Sequence, residues 1–107
     1  MASPIVADKR QAFRDLHAAG CFVIPNPWNL GTARYLQGLG FKALATTSSG
    51  FAHAQGFADG DMTRDMALAH FHEMAAAADV PVNADFENGY ADEPEAVATN
   101  VKLCVET

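Results

Sequence analysis

The spacing of apolar residues along the chain predicts four helices. The first covers residues 3–20, the second follows Asn29 and the third follows Thr63, and both of these residues are suitable N-caps. The last begins at a capping box in residues 92–95, with Pro94 in the first turn. The apolar faces, in chain order, are Ile5, Phe13 and Leu16; Leu30, Ala33, Leu36 and Leu39; Leu68, Phe71, Ala75 and Ala78; and Val97, Val101, Cys104 and Val105.

Three short apolar runs separate these helices, at residues 21–24, 42–46 and 80–82. They are too short for helices and apolar on both faces, which is typical of strands buried in a parallel sheet. Residues 51–62, which lead to the third helix, are predicted to be a long connection and not one continuous helix, because glycines interrupt them repeatedly. A helix followed by three strand–helix units predicts an α/β fold with right-handed crossovers. Three such strands leave unpaired edges, whereas a closed barrel needs about 250 residues.

Composition narrows the class of protein. The 107 residues fit a single small domain, and 7 Lys and Arg against 13 Asp and Glu give a formal charge of −6, which argues against a nucleic-acid partner. No apolar stretch approaches the roughly 20 residues of a membrane span, and residues 1–10 do not resemble a signal peptide, so we expect a cytoplasmic protein without a membrane partner. Cys21 and Cys104 are expected to be reduced core residues.

Candidate chemistry follows the predicted strands. Asp85 and Glu87 come directly after residues 80–82, at the end where parallel sheets hold ligands, and such a pair suits a hard cation such as Mg²⁺. The alternative is that both are solvated loop acids. Residues 47–50 are Thr-Ser-Ser-Gly and can donate to an anion, although an ordinary polar loop has the same composition. His70 and His72 point to different faces of one helix and are expected to be surface or half-buried residues.

Four segments together resemble a known family. They are Asn-Pro-Trp-Asn at 26–29, Ala-Thr-Thr-Ser-Ser-Gly at 45–50, Gly-Phe-Ala-Asp-Gly at 56–60 and Pro-Val-Asn-Ala-Asp-Phe-Glu-Asn-Gly-Tyr at 81–90. This series resembles the isocitrate lyase/phosphoenolpyruvate mutase superfamily, and most of all its carboxyvinyl-carboxyphosphonate phosphorylmutase-like branch. The resemblance implies the first three βα units of a TIM barrel, with the barrel incomplete in this chain. It also implies Mg²⁺ or Mn²⁺ as cofactor, a small 2-oxo acid or 2-hydroxy di- or tricarboxylate as substrate, and a homo-oligomer.

The resemblance also implies roles for individual residues. Asp85, with Glu87, matches the metal site, and Asp59 matches the catalytic acid of the third segment. The residues implied to bind the substrate are Trp28, Ser48, Ser49 and Gly50. Two positions depart from the family pattern, since Asn83 and Asn29 stand where acids are common.

The expected function is therefore a Mg²⁺-dependent lyase that cleaves a C–C bond. A phosphonate mutase or hydrolase using the same site for P–C chemistry is one alternative. A truncated, inactive fragment is another, because the family's fourth-strand Glu and mobile catalytic loop would follow Thr107.

Overall fold

The computed structural model describes residues 4–107. Two parallel strands are surrounded by helices, and the register pairs Leu44 with Val82 and Ala45 with Asn83. The predicted α/β class is therefore confirmed. In chain order the elements are α1 (Val6–Leu16), α2 (Leu30–Gly38), β1 (Leu44–Ala45), α3 (Ser48–Ala54), α4 (Arg64–Ala77), β2 (Val82–Asn83) and α5 (Pro94–Val105).

The apolar core lies between β1 and the two helices α2 and α4. Its buried centre consists of Ala33, Leu44, Met74 and Ala78. The partly buried side chains packed against it are Leu30, Leu36, Val80 and Val82. Because α2 and α4 bury their apolar faces on this small sheet, the two strand ends are held side by side.

Both predicted N-caps are confirmed. The Asn29 side chain accepts a hydrogen bond of 3.0 Å from the Thr32 amide, and the Thr63 hydroxyl accepts one of 3.3 Å from the Met66 amide. These bonds satisfy amides that the first turn of a helix leaves without partners. None of the helices within residues 4–107 is long and apolar enough to cross a membrane.

The strand predicted at residues 21–24 is wrong. Residues 21–24 do not form a strand in the structure. Next to them, the Ala45 amide of β1 donates a 3.0 Å hydrogen bond to the Pro25 carbonyl. An apolar run becomes a strand only where a neighbour supplies a ladder of hydrogen bonds. Val23 is instead 66% exposed, and Cys21, predicted to lie in the core, is exposed as well. Both Cys21 and the half-buried Cys104 are free thiols, as expected.

The hydroxyl cluster at residues 47–50 and the start of the connection predicted at residues 51–62 are helical, because α3 covers Ser48–Ala54. Thr47 is its N-cap, and the Thr47 hydroxyl accepts a 3.2 Å hydrogen bond from the Gly50 amide. The hydroxyl cluster that predicted a loop therefore begins a short helix instead. The strand predicted at residues 42–46 is present in shorter form, as Leu44–Ala45. The strand predicted at residues 80–82 is shifted, because the observed strand is Val82–Asn83 and shares only Val82 with the prediction.

Helix α5 corrects two further predictions. Pro94 is in the first turn as predicted, but the N-cap residue Glu93 makes no side-chain capping bond, so the predicted capping box is wrong. The predicted apolar face is wrong too, because the buried residue of this helix is Asn100, whereas Val101 and Val105 are 45% and 56% exposed.

Helix α4 buries a face rotated by about one residue from the prediction. Phe71 and Ala78 are buried as predicted, whereas Leu68 and Ala75 are only half-buried. The other buried residues of α4 are Ala67, His70 and Met74.

Candidate metal and carboxylate site

Asp85 joins the ends of the two strands. Its amide donates a 2.8 Å hydrogen bond to Thr46 Oγ1, and its Oδ2 accepts a 3.0 Å bond from the Ser48 amide. The other carboxylate oxygen, Oδ1, accepts a 3.3 Å bond from the Glu87 amide. The strand end at Asp85 and the hydroxyl segment after β1, each predicted to follow a strand, are thus brought together.

These bonds determine the charge of Asp85. Partial burial acts to raise its pKa, but the hydrogen bonds from the Ser48 backbone and side chain and from the Glu87 amide outweigh it, and the pKa is lowered. The carboxylate is therefore ionised at neutral pH. Its oxygens retain lone pairs beyond those that accept these bonds, so an anionic ligand group is exposed at the strand end.

The pKa of Tyr90 responds to the three acidic residues predicted for the site. Burial, then the charge and hydrogen bond of Glu87, and then the charges of Asp85 and Asp59 raise the pKa of Tyr90 to about 12. The three acids predicted for the site therefore act electrostatically on one phenol. Tyr90 remains protonated at neutral pH, so its hydroxyl can donate a hydrogen bond.

The loop that follows Asp85 has an uncommon backbone. Glu87 and Tyr90 have φ values of 48° and 56°, and Gly89 has φ 81°. Left-handed residues other than Gly are costly and persist where the surroundings hold them. Asn100 of α5 supplies that support, because its Nδ2 donates a 2.7 Å bond to the Gly89 carbonyl while its Oδ1 accepts a 2.9 Å bond from Arg64 Nη1.

Sequence reasoning missed Asn100 and Arg64. The available signal was an Asn placed between Val97, Val101 and Cys104 on a face predicted to be apolar. A polar residue on such a face indicates a buried hydrogen-bond partner, since buried amides are rarely left unpaired.

Trp28 packs against the first turn of α3. A Cβ added to Gly50 would lie 2.4 Å from Cδ1 and from Nε1 of the Trp28 indole. Only a residue without a side chain allows this approach. Gly50 is buried, while Ser48 and Ser49 are half-buried and Trp28 is 47% exposed. Trp28, Ser48, Ser49 and Gly50 thus lie on or against one short segment.

The donors present fit Mg²⁺ better than a metal that needs a complete protein cage. No group of three or more His, Cys, Asp or Glu side chains within residues 4–107 is arranged to hold an ion. Mg²⁺ is commonly held by one or two carboxylates, with waters and substrate completing its shell. The ionised Asp85 with Glu87 nearby meets this requirement, whereas Asn83 is exposed and adds no charge.

The two histidines of α4 differ. His72 is exposed, as expected, whereas His70 is only 5% exposed, so the prediction of a surface or half-buried His70 is wrong. Its ring stacks on Phe51 of α3, with ring centroids 3.9 Å apart and an interplanar angle of 12°. Burial on a helix face otherwise made of Ala, Phe and Met explains the error, because the sequence gives no sign of the aromatic partner.

Comparison with known proteins finds a matching protein family and several relatives. The sequence model of the family described as phosphoenolpyruvate phosphomutase matches residues 13–107. An uncharacterized protein of Mycobacterium tuberculosis (strain ATCC 25618/H37Rv) is 37% identical over 91 residues, which cover 84% of this chain and 35% of the relative.

Two solved structures extend the comparison. A Burkholderia cenocepacia J2315 protein assigned as a lyase/mutase is 48% identical with a TM-score of 0.90, over 94% of this chain and 36% of that one. The triclinic form of 2,3-dimethylmalate lyase is 27% identical with a TM-score of 0.75, over 94% and 36%. This chain therefore spans about a third of the length of the relatives it matches.

Proposed function

This chain belongs to the phosphoenolpyruvate mutase/isocitrate lyase superfamily, and from that premise we propose that it forms the metal- and carboxylate-binding third of a Mg²⁺-dependent lyase. The proposed reaction cleaves a C–C bond in a small 2-oxo or 2-hydroxy di- or tricarboxylate. The observation that carries the proposal is the ionised Asp85 carboxylate held at a strand end by the Ser48 amide, 3.0 Å away. The name of the related 2,3-dimethylmalate lyase supports a substituted hydroxy-dicarboxylate as the substrate class.

The proposed metal ligand is Asp85, joined by Glu87. When bound, Mg²⁺ would supply positive charge that stabilises the negative oxygen developing beside the breaking bond. Asp85 is oriented for this role before any ligand arrives, because hydrogen bonds from the amides of Ser48 and Glu87 fix its carboxylate. Such preorganisation saves the free energy of ordering the group during the reaction.

The proposed carboxylate site lies beside the metal site. Ser48 and Ser49 contribute hydroxyl donors, and the backbone at Gly50 lies against the Trp28 ring. The Trp28 indole would form an apolar wall that limits substrate size and excludes water on that side. Asp59, whose charge acts on Tyr90, is the proposed catalytic acid.

A phosphonate mutase or hydrolase is the second candidate, because the matching family model is described as phosphoenolpyruvate phosphomutase. The same hydroxyl donors and cation would suit a phosphonate as well as a carboxylate. The choice of substrates in one assay separates the two reactions.

The test uses a hybrid barrel, in which residues 1–107 replace the matching segment of the B. cenocepacia lyase/mutase. We expect the hybrid barrel to cleave an oxaloacetate-, 2-methylisocitrate- or 2,3-dimethylmalate-like acid in the presence of Mg²⁺, and to lose this activity in Asp59→Ala. The 107-residue chain alone should show no turnover, since bond cleavage also needs a positioned proton donor or nucleophile. Activity that survives a chelator would refute the metal-dependent mechanism, and turnover of phosphonopyruvate alone would favour the alternative.

The affinity for Mg²⁺ is tested separately, by calorimetric titration of the hybrid barrel. Asp85→Ala should weaken binding at least tenfold, because it removes the ionised ligand at the strand end. His72→Ala is the matched control, since His72 is exposed on α4 and should leave the affinity unchanged. Equal Mg²⁺ affinity in the Asp85 variant would exclude Asp85 from the metal site.

A further inference from the structure

His70 is a buried polar residue without a role in the proposed reaction. Its Nε2 is fully buried and has no hydrogen-bond partner within residues 4–107. Buried polar side-chain atoms nearly always have a partner, either protein or ordered water, because an unpaired one costs free energy. The position of Nε2 therefore indicates where such a partner belongs.

The ring of His70 is held in one orientation. It stacks on Phe51 of α3 and lies with its centroid 6.1 Å from that of Phe71. Burial lowers the pKa of His70, and the charge of Glu73 opposes this shift only in part. A neutral imidazole has one nitrogen that donates and one that accepts, so it can bind a water in either sense.

A small cavity connects His70 with the strand ends. Its volume is about 10 Å³, and its lining includes His70, Thr46, Ser48 and Asp85. This volume is about the smallest that admits a single water molecule. The Thr46 hydroxyl accepts a 2.8 Å hydrogen bond from the Asp85 amide. A hydroxyl that accepts one hydrogen bond can still donate another. The cavity thus brings a second polar group near the His70 ring.

We propose that His70 is a positioning residue that binds one ordered water in this cavity, and that the water also bonds the Thr46 hydroxyl. A chain of hydrogen bonds then runs from α4 through the water and Thr46 to the Asp85 amide. The water fixes the rotamer of Thr46, and Thr46 fixes the backbone that carries Asp85. The water site itself is independent of the proposed function, whereas its effect on Mg²⁺ binding rests on that function.

Nuclear magnetic resonance of the hybrid barrel tests the water site, because the 107-residue chain alone has open sheet edges and exposed apolar side chains. We expect cross-relaxation between a long-lived water and the His70 ring protons, and loss of that signal in Thr46→Val. Absence of the signal from the unsubstituted hybrid barrel would overturn the proposal. His72→Phe is the matched control on the same helix and should leave the signal intact.

Amide hydrogen exchange tests the positioning role without any metal. His70→Phe keeps an aromatic ring on Phe51 but removes the nitrogen, and should speed exchange of the Asp85 amide roughly tenfold. His70→Gln restores a polar group at this position and should recover most of the protection. Unchanged Asp85 exchange in His70→Phe, with the water signal lost, would show a bound water that positions nothing and would overturn the role. If Mg²⁺ fails to bind the unsubstituted protein, the proposed function fails, while amide exchange still decides the role of His70.

Discussion

Removing the Asn100 side chain should loosen the loop that carries the candidate metal ligands. Asn100 is 5% exposed, and it is the residue that links α4, α5 and the loop after β2. In Asn100→Ala the buried Gly89 carbonyl loses its 2.7 Å donor and Arg64 loses an acceptor at 2.9 Å. The left-handed conformations of Glu87 and Tyr90 then lose the support of α5.

The magnitude follows from what is left unpaired. A buried acceptor without a partner costs about 1–3 kcal/mol. The Arg64 side chain is 40% exposed, so water replaces most of its lost bond. We therefore expect local opening of the loop to become easier by about 2 kcal/mol, which is roughly 30-fold in the opening constant.

Hydrogen exchange of the Gly89 amide measures this opening, because that amide donates a 2.9 Å bond to the Phe86 carbonyl within the loop. Asn100→Asp keeps an acceptor for Arg64 but loses the donor to Gly89, so it should show most of the effect. Thr99→Ala is the control, since Thr99 is exposed beside Asn100 on the same helix. Gly89 protection that stays at its original level in Asn100→Ala would refute the reasoning.

Three further predictions follow from the same structure. In Gly50→Ala the new Cβ must displace the Trp28 indole, so the indole fluorescence spectrum should shift. Oxalate, used as a small dicarboxylate probe of the proposed carboxylate site, should bind at least tenfold more weakly. An unshifted spectrum would contradict the close packing of Trp28 on Gly50. The pKa of Tyr90 is about 12 in the folded chain, against 10.0 for an unperturbed tyrosine. As pH rises, Tyr90 therefore deprotonates first in the unfolded chain, and the folding stability present below pH 10 is lost between about pH 10 and 12. Ultraviolet titration should show one tyrosine ionising near 12, and Tyr90→Phe should remove it while Tyr35→Phe should not. The chain alone should associate or melt without cooperativity, because β1 and β2 form a two-stranded sheet with open edges and many apolar side chains are exposed; a monodisperse monomer with a sharp melt would contradict this.

Local signals in the sequence predicted the elements whose stabilising contacts are local. Asn29 and Thr63 cap their helices through residues three positions away, and Pro94 fits the first turn of α5 by its own φ. Thr47 also caps a helix, yet its hydroxyl cluster was interpreted as an anion site or an ordinary polar loop, because the composition of residues 47–50 fits either. The prediction of a strand at residues 21–24 was wrong for a different reason, since a strand depends on neighbouring strands that no local pattern specifies.

The candidate site shows the same division. The order of strands and helices put Asp85 and the hydroxyl segment at the carboxyl ends of two strands, and the structure joins them by a bond between Asp85 and Ser48 that spans 37 positions. Parallel topology explains this, because the carboxyl ends of neighbouring strands meet at one edge. The burial of His70 and Asn100 depends on how α4 and α5 rotate against their neighbours, and a rotation of one residue is below what apolar spacing can specify.

The conformation of the acidic loop after β2 therefore depends on more than the segment that contains it. Residues 81–90 include the acids, but Glu87 and Tyr90 adopt left-handed conformations that a short peptide of this sequence would rarely populate. The hydrogen bond from Asn100, ten or more positions away, and its own bond to Arg64 from α4 hold the loop in place. A chain that keeps the acidic segment but loses either polar partner would match the same sequence pattern while presenting its carboxylates in a different arrangement. Support from α4 and α5 is thus part of what defines the candidate site, and it is visible only once the helices are packed.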